Sequence, residues 1–323
     1  MRFSTKTLLV LGFTLLGILL FAQKTDSLQT KAVAFVTDKF PSTRVLNVEV
    51  SSVSPYKFSH ELENVDLPDN KIRDFKQVKA NANFYFLKKK NWTITTSLNY
   101  KFTHFEVDQP QQFSPNVNDK NDFHYHSEAV TATHISKLWN KMAIYTASVS
   151  VDGNENHFER IRGLLTGSIM LKVTAQIKLL LGVAVIVDPS AQIPAIPIIT
   201  YEHKFKNGWI ADVILPKRLM MKKDVFENGR FSFGSEMDMT SFYLNQENRT
   251  YEYRQTEINT GIVYEHKFGD FIGTFKSGLR TIPTARVFDM KDNFNDYFYK
   301  ATPKSSYYIN FGISYNPFMK SKK

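Results

Sequence analysis

The chain holds eight histidines, His60, His104, His124, His126, His134, His157, His203 and His266, and no cysteine. Any hydrolytic or metal chemistry would have to be built around those imidazoles, since thiol nucleophiles, thiolate ligands and disulfides are excluded. Hydrolysis also needs a nucleophile, a base and an orienting group on one rim, and no Gly-x-Ser-x-Gly or similar motif accompanies the histidines. We therefore read the chain as not an enzyme and assign no catalytic residue; an embedded lipid-modifying enzyme is the least favoured alternative. His124-Tyr125-His126 places two imidazoles on one strand face, but a transition metal wants a third ligand nearby. Asp289, Asp292, Asn293, Asn295 and Asp296 offer calcium-type oxygens at a spacing that fits no EF-hand loop. No metal and no cofactor is assigned. Phe288, Phe294, Tyr297, Phe298 and Tyr299 in the same stretch would fold inward as a plug or form a contact surface.

The formal charge is +10, with 41 Lys and Arg scattered along the chain, so nucleic acid is not an expected partner. Where residues alternate, Lys79, Lys101, Arg160, Arg162, Lys172, Lys276 and Arg280 fall on polar faces, as do Glu49, Glu202, Asp212, Glu236, Asp238, Glu257 and Glu265. Opposed charges across a pore would set a transverse field and select solutes; equally, they would form ion-paired ladders in a filled lumen. The candidate lumen-lining residues are Lys79, Lys101, Glu202, Asp212, Glu236, Asp238, Glu257, Glu265, Lys276 and Arg280.

The elements that would carry these residues are strands. From Ser306 to Asn316 every odd position (Tyr307, Ile309, Phe311, Ile313, Tyr315) is apolar or aromatic. The intervening set, Ser306, Tyr308, Asn310, Gly312, Ser314 and Asn316, is polar apart from one tyrosine. About eleven residues with one apolar face is the length of a tilted membrane-crossing strand. The same alternation recurs from Arg44 onward, clearest where Val78 to Phe86 and Trp92 to Phe102 form a hairpin about Lys88 to Asn91. Leu164, Met170, Leu180 and Ile186 make one stretch of the inner face less polar, either to line a path for apolar cargo or to pack against an inward loop. Polar loops are expected at Glu106 to Asp122 and Pro189 to Pro197, and the longest at Ile282 to Lys304. The sum is an all-β transmembrane up-and-down antiparallel β-barrel of about 14 strands, or 12 if the pair around Pro216 to Val225 is misread. Short turns fall on one side and long loops on the other. Trp92, Trp139 and Trp209 sit at short turns, and with Tyr307 and Tyr315 they are candidate membrane-interface anchors.

Met1 to Lys6 is basic, and Thr7 to Ala22 is uncharged and apolar, which reads as a secretory signal cleaved after Ala22. The expected division is a signal peptide (1–22), a periplasmic N-terminal segment (23–43), the barrel (44–316) and a periplasmic tail (317–323). Within the N-terminal segment Leu28, Ala32, Phe35 and Val36 recur at helical spacing, which suggests a short amphipathic helix or tether.

The leader ending Leu20-Phe21-Ala22-Gln23 resembles those of Bacteroidota. Pro194 to Glu202, with Trp209 and Ile214-Leu215-Pro216 following, is similar to a poorly characterised family of outer-membrane β-barrel proteins of that phylum. The resemblance implies a fold and an outer-membrane location, with no substrate to carry over. Pro317 to Lys323 departs from barrels that end on an aromatic residue. The function expected is a conduit for small solutes, with apolar cargo as one option; the alternative is a closed structural or adhesive barrel contacting a partner through its loops. The expected partners are the lipid bilayer, the outer-membrane assembly machinery and an unidentified small solute.

Overall fold

The computed structural model describes residues 28–89, 91–108, 120–246 and 249–318; the predicted leader and most of the loop after residue 108 lie outside them. Helix α1 (Leu28–Lys39) and a 3-10 turn (Pro41–Thr43) lead into β1 (Leu46–Val53), β2 (Tyr56–Leu62), β3 (Val65–Lys89) and β4 (Trp92–Val107). There follow β5 (Lys120–Leu138), β6 (Lys141–Gly153), β7 (Phe158–Val173), β8 (Ile177–Val187), β9 (Ala195–Lys204), β10 (Trp209–Leu215) and β11 (Arg218–Val225). The chain finishes through β12 (Gly229–Gln246), β13 (Arg249–Phe268), β14 (Phe271–Asp289), β15 (Tyr297–Pro303) and β16 (Ser306–Tyr315).

All sixteen segments belong to one antiparallel sheet that closes as a 14-strand barrel. The count falls by two because β1 and β2 are one rib interrupted at Ser54–Pro55, and β15 and β16 are another interrupted at Lys304–Ser305. β1 pairs with β16 and β3, while β2 pairs with β15 and β3. Ser54 N–H donates to Tyr307 O (2.8 Å) and Lys304 N–H to Lys57 O (2.8 Å), so the seam stays bonded through both breaks. The outward set is apolar and exposed, as at Val48, Val50, Phe311 and Ile313, and the inward set pairs Asn47 with Ser314 and Glu49 with Gly312.

Three expectations need correction. Residues 56–76, given no strand by the pattern, form β2 and the first half of β3, joined through Glu63 and Asn64 at φ 50° and 65°. Much of the expected longest loop, 282–304, is strand in β14 and β15. Connections on that side are therefore not uniformly long, since Glu63–Asn64 and Pro216–Lys217 are tight. The reason is physical: β3, with 25 residues, and β13, with 20, far exceed a membrane crossing. Beyond the bilayer the outward face meets water, and the apolar alternation fades. The third is Lys172, which pairs with outward Leu179 after a register shift at Met170 and so leaves the inner face.

Candidate functional site

The interior is divided rather than open. β10 and β11, of 7 and 8 residues, turn back early, so β12 loses its neighbour beyond Glu236. Its far half curls inward with β13. The bend falls on a row of glycines in register across three strands, Gly234, Gly261 and Gly278. A Cβ at Gly261 would lie 2.1 Å from Ser277 O and one at Gly278 2.1 Å from Thr260 O, so only glycine permits this approach.

The curled hairpin forms a septum whose two faces are both buried. Thr240 and Phe242 point one way; Ser241 and Tyr243 point the other. On the first face Gln77 Nε2 donates to Thr240 (3.2 Å) and to Thr103 (3.1 Å), while Phe242 stacks on Phe123 with centroids 4.1 Å apart. Lys79 pairs with Asp238, and Lys101 Nζ donates to Met239 O (2.8 Å). This face closes an aromatic cavity of about 530 Å³ bordered by Tyr56, Phe58, Phe75, Phe105, Phe242 and Tyr299. Below it, toward the termini, lies a charged chamber of about 280 Å³, and Phe75 borders both.

The opposite face is an ionic lattice. Glu252, fully buried, accepts from Arg162 (3.0 Å), Arg254 (2.7 Å) and Ser241 (2.5 Å). Arg162 also reaches Asp152 (2.6 Å) and Asp188 (2.6 Å). The turn after β8 folds in with them, and buried Ser190 accepts from Arg254 through its carbonyl (2.9 Å). Burial alone would raise the Asp188 carboxyl, but the Arg162 guanidinium and hydrogen bonds from Ser190 hold it below the usual carboxylate range. Phe288 and Phe294 of the aromatic stretch are buried against Arg254, the inward of the two placements the sequence allowed.

The terminal end is filled by α1, which does not hang outside as a tether. Lys39 is buried and pairs with Glu202 and with Asp212, the latter at 2.7 Å; Arg218 and Lys222 join Asp212. Arg44 reaches Glu265 (2.6 Å), and Asp38 meets Arg230 (2.6 Å). Among the ten candidate residues, Lys79, Lys101, Glu236, Asp238, Glu257, Lys276 and Arg280 border the charged chamber. Glu202, Asp212 and Glu265 instead hold α1 and the chain that follows it. Lys276 pairs with Glu49 (2.9 Å) and Arg280 with Glu257 (2.9 Å). The sequence reading passed over Lys39, Arg44, Glu252, Arg254 and Phe242; the i, i+2 pair Glu252 and Arg254 was a signal, since both share one strand face. His124 and His126 share a face with Phe102 and Tyr100, and His124 Nδ1 lies 2.7 Å from Tyr100 Oη. No cluster of three metal-ligating side chains occurs among the described residues.

A family profile described as Domain of unknown function (DUF6268) matches residues 68–316, and the chain belongs to that family. No curated protein matches it in sequence. Among solved structures it is similar to the COG4313 outer membrane channel from Pseudomonas putida F1, at 7% identity and a TM-score of 0.38, over 83% of this chain and 95% of that one. It is also similar to a Pseudomonas aeruginosa FadL homologue, at 8% identity and 0.28, over 84% and 89%. The beta domain of the Bordetella autotransporter Brka gives 7% identity and 0.27, over 84% and 98%.

Proposed function

We propose that this protein is an outer-membrane barrel that passes a small solute with an apolar body. The observation that carries the reading is the aromatic cavity at the far end, whose volume of about 530 Å³ is that of a small-molecule site. The solute would enter between the septum and β2–β5, pass Phe75, and cross the chamber where Lys79, Lys101, Glu236, Asp238, Glu257, Lys276 and Arg280 act on it. It would leave beside α1. In this reading residues 1–22 direct secretion, the outer-membrane assembly machinery inserts the barrel, and Trp92, Trp139, Trp209, Tyr307 and Tyr315 anchor it at the two interfaces. All three tryptophans lie toward the end that carries the termini, with Trp139 81% exposed.

A closed structural barrel is the second reading, favoured by the buried seat of Lys39. Single-channel conductance of the chain beginning at Gln23 separates the two. Steady conductance that rises in Lys39→Met, where α1 has lost its ion pairs to Glu202 and Asp212, is the outcome for a conduit. Silence from both proteins, with heat-modifiable mobility showing that each is folded, would leave the closed barrel.

A further inference from the structure

Among the described residues, Arg280 of β14 is the buried charged side chain with the most nitrogens left without a hydrogen bond. It is 2% exposed, its Nε donates to Glu257 (2.9 Å), and its guanidinium carbon lies 4.3 Å from the Phe75 ring centroid. Both terminal nitrogens, Nη1 and Nη2, are buried and complete no hydrogen bond, although the Tyr56 hydroxyl stands close to the guanidinium. Glu257 meets Arg280 only through Oε2 and Nε; its Oε1 accepts from Thr240 (2.6 Å) and Gln255 (2.8 Å). Leaving a buried guanidinium half-bonded is costly, and the fork of two N–H groups fits a carboxylate.

The surroundings name the rest of the ligand. The chamber that Arg280 borders carries five cations, Lys79, Lys101, Lys217, Lys276 and Arg280, against four carboxylates, Glu49, Glu236, Asp238 and Glu257. One negative charge would balance it. Phe75, against the guanidinium, also borders the aromatic cavity, so a ligand headed at Arg280 would lay its body among Tyr56, Phe105 and Phe242. We infer that the site takes an organic monocarboxylate with an apolar body, its carboxylate on Arg280 Nη1 and Nη2. This rests on the reading of the barrel as a conduit and adds the charge of what it passes.

The test is calorimetric titration of the purified full barrel with 4-phenylbutyrate and with 4-phenylbutanol, which differ only at the head group. The acid binds the wild type about tenfold more tightly or better, as a charge-assisted hydrogen bond requires, and Arg280→Gln binds the two within about twofold. Equal affinities in the wild type, a preference that survives in Arg280→Gln, or no binding of either compound overturns the site. Should Arg280→Gln fail to fold, the wild type decides alone. Its affinity for the acid falls as pH drops through the acid's own pKa while that for the alcohol stays level, and parallel curves overturn the proposal. Liposome flux keeps the two readings apart. Passage of phenylbutanol without preferential binding of the acid removes the anion site and leaves the conduit; tight acid binding without flux of either removes the conduit.

Discussion

The two faces of the septum are made by the same residues counted alternately, yet they are held by different forces. Glu252 and Arg254 look into a lattice of ion pairs with Asp152, Arg160, Arg162 and Asp188. Phe242 and Tyr253 look the other way onto aromatic rings, with centroids 4.5 Å apart between the two, and a cavity remains beside them. The ionic face is directional and fixes the position of the hairpin. The aromatic face is not, and apolar rings can border empty volume without leaving a hydrogen bond of their own unmade. The septum is thus pinned by ion pairs on one side and borders a cavity on the other.

That contrast is broken most severely at Glu252. Glu252→Leu strands Arg160, Arg162 and Arg254 around a missing carboxylate and destabilises the barrel by about 3–5 kcal/mol, read as a lower urea midpoint. On the aromatic face Phe242→Ala lowers stability by about 3 kcal/mol and enlarges the cavity, so that affinity shifts toward bulkier ligands. At the bend between the two, Gly261→Ala drives a methyl onto Ser277 O, lowers stability by about 1–3 kcal/mol and loosens the septum, seen as faster amide exchange in β12. Acid separates the faces more gently. The folded pKa of Asp188 lies below its ordinary value of 3.8, so its contribution is complete above that pH and is lost only as pH falls through the lowered value. A fluorophore at Ile193, 55% exposed, reports no opening of the β8–β9 turn from pH 8 to 5 and an opening in stronger acid. The smallest effect is expected at Leu164, 38% exposed on the inner wall, where Leu164→Ala changes stability by less than about 0.5 kcal/mol.

How far the sequence could be read depended on where water lies. Along Leu46 to Val50 and Tyr307 to Tyr315 one face meets lipid and the other the lumen, so alternation was plain. Past the bilayer, in Val65 to Asp74 and Ile282 to Asp289, both faces are polar or both are buried, and the same strands looked like loop. Thr240 to Tyr243, all four buried, carry no alternating signal at all. Lys39 looked like part of a solvated tether because its partners, Glu202 and Asp212, stand more than 160 positions away.

The sequence alone determined the barrel, a strand number of fourteen or twelve, and the placing of apolar and polar residues on opposite faces, because a period of two survives wherever a strand divides lipid from polar interior. Only the tertiary structure decided what the interior is: a lumen split by its own β12–β13 hairpin, occupied by α1 at one end and hollow among aromatic rings at the other. The reason is register. Gly234, Gly261 and Gly278 are ordinary glycines along the chain, and they become a hinge line only when three strands set them side by side.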